Sequence, residues 1–154
     1  MIGAELLQLL ESEALLFHSP VHGLKHWRTV ARNGLYLAQH SDADVDVVKH
    51  FAFFHDSKRE NEHEDPEHGP RAALFLNDIR DMLPLDDLQF QLLKRACSGH
   101  THGTSTECAT LGTCWDADRL DLGRVGIVPD SQYLFTARAK EIADTDDYGI
   151  LRTG

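Results

Sequence analysis

The sequence predicts an all-α fold, a single compact bundle of about six to seven helices spanning 1–154. Three observations carry that prediction. Apolar residues recur at helical spacing through most of the chain, no convincing alternating strand occurs, and prolines, glycines and capping residues separate the periodic stretches.

Over 3–17, Leu6, Leu7, Leu10 and Leu15 give one apolar face, which the 18–23 stretch breaks with Pro20 and Gly23. A second helix is expected over about 24–40. A third begins near 41–44, where Ser41, Asp42 and Asp44 offer capping oxygens, and continues to about Lys58. The acidic run 59–66 reads as an exposed loop. A fourth helix starts after Pro66, includes 71–76 and gives way before Pro84. Asp86 and Asp87 suit the cap of a fifth helix over 88–98, and 99–103 is a loop or a ragged helix end. A sixth helix is expected over about 106–122 and a last one after Pro129 to about Ala143, leaving a tail over 144–154.

A chain of 154 residues is long enough to bury a real core, and 42% hydrophobic with 26% charged residues places it among ordinary soluble globular proteins. No apolar run is long enough to span a bilayer, and no basic segment precedes an apolar one at the N-terminus. Cys97, Cys108 and Cys114 form no paired framework and no C-x-x-C, which predicts reduced cysteines in a cytoplasmic protein. The formal charge of −10 weighs against a nucleic-acid polymer or an anionic membrane as partner. A small anionic substrate stays open, because bound divalent metal reverses the local sign.

Ten histidines is a heavy load for this length. The pair His55-Asp56 ends the apolar run Phe51-Ala-Phe-Phe, where a carboxylate without a partner would cost several kcal/mol. Helical register then places further groups on apolar faces: His26 with Val30, Asn33 and Leu37, and His68 with Ala72, Phe75 and Ile79. His100 follows Leu93 and Ala96, and Asp118 aligns with Leu111, Cys114 and Leu122. One histidine on an apolar face is more often a core residue than a ligand, and one aspartate at a helix end is usually a cap. Five segments that each aim a His or Asp inward point instead to a metal centre.

These residues resemble the signature of the HD-domain superfamily of metal-dependent phosphohydrolases. The order is a His, a His-Asp pair and a distal Asp, here His26, His55-Asp56 and Asp118 within Trp115-Asp-Ala-Asp-Arg-Leu-Asp121. The resemblance spans the core at about 22–122 and is closest to small stand-alone HD proteins. Many such proteins carry two more histidines that bind a second ion, and His68 and His100 stand where those fall. His102 competes with His100, and Asp116 with Asp118. His18, His22 and His63 match nothing required and read as loop residues.

The resemblance implies one or two divalent ions (Mn, Fe, Co, Ni, Zn or Mg) and a small phosphorylated, nucleotide-like substrate. His26, His55, Asp56 and Asp118 would hold the first ion, with Asp56 bridging to a second on His68 and His100. Activated water would attack phosphorus, with Asp56 and Arg119 as the catalytic residues. Lys58, Arg59 and Arg71 are further cations for phosphate, with solvated surface charge at least as common a role for each. Asp121 or Glu60 is expected to orient a ligand histidine. The alternatives are a di-iron HD-type oxygenase and a non-catalytic, metal-stabilised nucleotide-binding protein.

Overall fold

Helix α3 (Val45–Phe54) is the element around which the others pack. The Asp44 carboxylate caps it, accepting from the amides of Asp46 and Val47 at 3.0 and 3.2 Å, which satisfies donors the first turn leaves open. Val47, Val48, His50, Phe51, Ala52, Phe53 and Phe54 are all buried, so α3 is covered on most sides beyond its exposed first turn. A computed structural model describes residues 1–152, with seven α-helices and no strand among those residues.

Around α3 lie α2 (Leu24–Ala38), α5 (Asp87–Gly99) and α6 (Ala109–Arg119), while α4 (His68–Asp78) packs on α5. A Cβ at Gly34 would stand 2.5 Å from Val48 Cγ1, so glycine there is what lets α2 and α3 approach closely. Asp86 and Gln89 form a reciprocal capping box that starts α5. On the outside, α1 (Ala4–Glu13) buries Leu6 and Leu10, and α7 (Ala137–Thr145) buries Ala139 and Ile142. No helix among the described residues is long and apolar enough to cross a membrane.

The all-α bundle agrees with the sequence, and several boundaries do not. Helix α1 stops at Glu13 instead of Phe17: Ala14 turns extended, and Leu15, expected on the apolar face, is exposed. Helix α3 ends at Phe54 and residues 55–58 form turns, with the Ser57 amide bonded back to Phe54 O and the Arg59 amide to Asp56 O. Helix α6 starts at Ala109, because Thr106 Oγ1 accepts from the Cys108 amide and holds the preceding residues in a local turn. Helix α7 starts at Ala137. Before it, Asp130 accepts from the Gln132 amide to set a 3-10 turn over Ser131–Tyr133, and Thr136 then caps the helix. In the tail, Tyr148–Arg152 is a 3-10 helix that packs on α2 and buries Leu151; Thr153 and Gly154 lie outside the described residues.

Candidate metal centre

The helix ends around α3 converge on six side chains. His26 lies in the first turn of α2, His55 and Asp56 follow the last turn of α3, and His68 opens α4. His100 caps the C-terminus of α5, and Asp118 sits in the last turn of α6. Each histidine is 4% exposed or less.

The outer nitrogen of every ring is already engaged. His55 Nδ1 is 3.1 and 3.0 Å from the carbonyls of Phe51 and Ala52, His100 Nδ1 is 2.7 Å from Cys97 O, and His68 Nδ1 meets Asp65 O. A carbonyl only accepts, so each of these nitrogens carries a proton and turns Nε2 inward, where it offers a lone pair to a cation that displaces any proton there. His26 Nδ1 donates in the same way to Asp121 Oδ2 at 2.7 Å. Carboxylates and carbonyls hold metal-ligating histidines in this manner, fixing both tautomer and ring angle.

The inward nitrogens then meet in pairs. His26 Nε2 is 3.1 Å from His55 Nε2, and His68 Nε2 is 2.9 Å from His100 Nε2. Two lone pairs at that distance repel unless a proton or a cation lies with them. Asp118 Oδ1 joins the first pair, 3.1 Å from His26 and 3.5 Å from His55. The Asp56 carboxylate divides between the two pairs. Its Oδ1 is 3.2 and 3.5 Å from His68 and His100, and its Oδ2 is 3.6 and 3.5 Å from His26 and His55.

Two triads result, His26/His55/Asp118 and Asp56/His68/His100, each with ligand atoms within 4.8 Å of one another. Imidazole with carboxylate is a donor set for divalent first-row ions, and the residues fit such an ion. Burial pushes the Cys97 and Cys114 thiols up, so neither offers a thiolate near neutral pH.

Gly69 allows the second triad to close. A Cβ on it would fall 2.6 Å from Cys97 O and 3.4 Å from His100 Nδ1, so any side chain would push α4 away from the end of α5. Electrostatics favour ionised carboxylates at the centre. Burial alone would raise the Asp56 pKa, but the His55 ring beside it and the close approach of His100, His22 and His68 hold it well below the usual carboxylate range. Burial likewise opposes the charge on Asp118, and the neighbouring His55 and His26 rings outweigh it, holding its pKa well below the usual carboxylate range.

The competing candidates separate clearly. Asp116 faces away: its carboxylate accepts from the amides of Phe135 and Thr136 and from Thr136 Oγ1, and burial raises its pKa. His102 is exposed at the rim of the cavity beside the triads and belongs to neither. Asp121 holds His26, whereas Glu60 pairs with Arg71 instead of reaching a ligand histidine.

Two of the expected phosphate-holding cations are misplaced. The turn after Phe54 swings Lys58 toward α1, where Nζ is 3.4 Å from Glu13 and 4.2 Å from the Phe75 ring centre. Arg71 binds Asp65, Glu60 and Lys58 O. Neither lines the cavity over the triads, which measures about 660 Å³. Arg59 and Arg119 do line it. The Arg119 guanidinium donates to the carbonyls of Tyr133, His100 and Gly103, which fixes it in place.

Sequence reasoning missed His22, which it took for a plain loop residue. The loop is pinned by Ser19 Oγ accepting from the Val21 and His22 amides, by Trp27 Nε1 donating to His22 O, and by Arg124 donating to Val21 O. His22 is 7% exposed, and its Nδ1 has no hydrogen-bond partner while lying 3.7 Å from Asp56 Oδ2. The signal available in the sequence was its spacing, one helical turn before His26. Arg124 and Tyr133, which also line the cavity, carried no such signal.

No family model and no curated protein matches this chain. Among solved structures, the chain is similar to the crystal structure of a predicted HD superfamily hydrolase from an uncultured Thermotogales bacterium. The TM-score is 0.72 at 21% identity, over 97% of this chain and 87% of that one. The two share a fold, and that fold is the one the HD resemblance of the sequence implied.

Proposed function

We propose that this protein is a divalent-metal-dependent phosphohydrolase, a phosphomonoesterase or phosphodiesterase, acting on a nucleotide-like small molecule. One observation carries the reading: Asp56 turns one oxygen to each of two facing imidazole pairs. His26, His55 and Asp118 would hold one ion and His68 and His100 a second, with Asp56 shared between them. Mn, Fe, Co, Ni, Zn and Mg are the candidate metals. The protein that shares the fold is described as a predicted hydrolase, which supports the same class.

A divalent ion, when bound, supplies Lewis acidity and a water acidic enough to deprotonate near neutral pH. The chain supplies the rest. Arg119 is a pre-oriented cation on the cavity wall, able to hold phosphate oxygens without first being ordered. His22 Nδ1 offers a hydrogen bond to a substrate oxygen beside Asp56. Leu122, Gln132 and Tyr133 line the outer part of the cavity, where Tyr133 presents an exposed ring to a planar base. A small ligand is the partner that a 660 Å³ cavity in a chain of charge −10 accommodates, in place of a nucleic-acid polymer or a membrane. Three free cysteines suit a cytoplasmic setting.

The test is turnover of a nucleotide and aryl-phosphate panel by protein loaded in turn with Mn²⁺, Co²⁺, Ni²⁺ or Mg²⁺. Hydrolysis that needs both metal and Asp56 is expected. Absence of turnover with every metal, in protein shown to hold it, would reject the reading. The pairing of two triads through one carboxylate also favours a second reading, a di-iron oxygenase. Oxygen consumption by iron-loaded protein, without phosphate release, would select it.

A further inference from the structure

Three arginines line the cavity, and among the described residues none of them has a carboxylate within ion-pair distance. Arg59 donates to the carbonyls of Asn61 and His63, and its Nη1 is 3.3 Å from both ring nitrogens of His68. Arg119 donates to Tyr133, His100 and Gly103 carbonyls, and Arg124 donates to those of Val21 and Asp121 at 2.8 and 3.0 Å. Outside the cavity, Arg71 pairs with Asp65 and Glu60, Arg80 with Asp87, Arg138 with Glu141 and Lys58 with Glu13. Carboxylates are plentiful, with 25 acidic residues against 15 basic ones. A carbonyl fixes a guanidinium without cancelling its charge. The cavity therefore holds three oriented guanidiniums, none of them closed into an ion pair.

Their placement flanks the triads. Arg59 lies against His68 of one triad. Arg124 lies against Val21 and Asp121, and the Asp121 carboxylate holds His26 of the other. Two divalent ions set against Asp56 and Asp118 leave an excess that a single phosphate dianion cancels. The three guanidiniums remain, in a cavity of about 660 Å³ that is far larger than one phosphate.

Resting on the phosphohydrolase reading, we infer that the substrate carries a second phosphate besides the one presented to the triads, held by Arg59 or by Arg124 with Arg119. The ligand class is an organic diphosphate or bisphosphate, recognised by forked guanidinium hydrogen bonds.

Metal-loaded protein is titrated with adenosine 5′-monophosphate, adenosine 5′-diphosphate and adenosine 3′,5′-bisphosphate at fixed free metal. Protein-bound metal is measured afterwards, so that chelation is not read as binding. At least one doubly phosphorylated ligand is expected to bind about tenfold or more tightly than the monophosphate, the worth of a charge-assisted pair. Arg59→Gln or Arg124→Gln is expected to bring that ratio close to one. Arg80→Gln, whose guanidinium pairs with Asp87 outside the cavity, leaves it unchanged. Equal binding of all three ligands by the unaltered protein, or a ratio that survives both substitutions, overturns the inference. Turnover separates it from the reading beneath. Hydrolysis without preference removes the second-phosphate site alone, whereas preference with no hydrolysis of any ester removes the phosphohydrolase and leaves the site.

Discussion

The Nε2 atoms of His26 and His55 face each other at 3.1 Å while the far nitrogen of each ring is bound to an acceptor. In the metal-free protein a proton must relieve that contact. Burial opposes a charge on His26, but hydrogen bonds to Asp118 and Asp121 outweigh it and push its pKa up to about 9 from 6.5. Metal has to displace this proton, so affinity is expected to climb with pH up to about 9, with proton release on binding. The folded-state pKa lies above the unfolded one. The stabilisation is therefore complete below pH 6.5 and lost as pH rises through about 9, at most about 3 kcal/mol in chelator-treated protein. Proton release in weakly buffered titrations and urea unfolding at both ends of that range measure the two effects. Metal affinity independent of pH would contradict the assignment.

Asp56→Ala removes the carboxylate shared by both imidazole pairs. The substituted protein is expected to lose at least one ion and all metal-dependent turnover. Elemental analysis of protein purified without chelators decides it. Full metal content together with unchanged thermal stability would leave the two triads without a metal to explain them.

His22 lies in neither triad, yet it is buried with Nδ1 turned toward Asp56. His22→Leu is expected to keep metal content and to lower kcat/KM by about ten- to a hundredfold, the worth of one hydrogen bond to a charged oxygen. His22→Asn keeps an N–H donor near the position of Nδ1 and should recover part of the loss. Loss of metal in the leucine variant would make His22 a ligand instead.

Gly69→Ala tests how tightly the second triad depends on the approach of α4 to α5. The added Cβ would stand 2.6 Å from Cys97 O, a backbone atom that a side-chain rotation cannot clear. A cost of about 1–3 kcal/mol is expected, together with weaker binding of the ion held by His68 and His100. Thermal unfolding with and without metal separates the two. Equal destabilisation in both conditions would mean that the strain never reaches the histidines.

Helical register made the inward faces legible, because one period of apolar residues fixes where His26, His55, His68 and Asp118 point. All four fall in the two triads, and Asp44, read as a cap, does cap α3. What register does not fix is where a helix stops when distant groups decide it. The late start of α7 follows from Asp116 taking the Phe135 and Thr136 amides, which nothing near Pro129 foretells. The environment of His22 depends on Trp27 and on Arg124, whose bond to Val21 spans 103 positions. Neighbours in sequence also diverge: the turn that ends α3 sends Lys58 to Glu13 and Arg59 to the cavity.

That divergence gives a paired test of the site's boundary. Lys58 Nζ spends its charge on Glu13 and the Phe75 ring on the α1 side, so Lys58→Gln is expected to leave kcat/KM for every phosphate ester unchanged. Its pair is partly exposed, and the stability change should stay within about 1 kcal/mol. Arg59, one residue on, is held by the carbonyls of Asn61 and His63 beside His68, and Arg59→Gln is expected to raise KM about tenfold or more. Steady-state kinetics on metal-loaded protein measure both. Equal effects from the two substitutions would mean that general surface charge, and not the cavity wall, attracts the substrate; raising the ionic strength would then abolish both together.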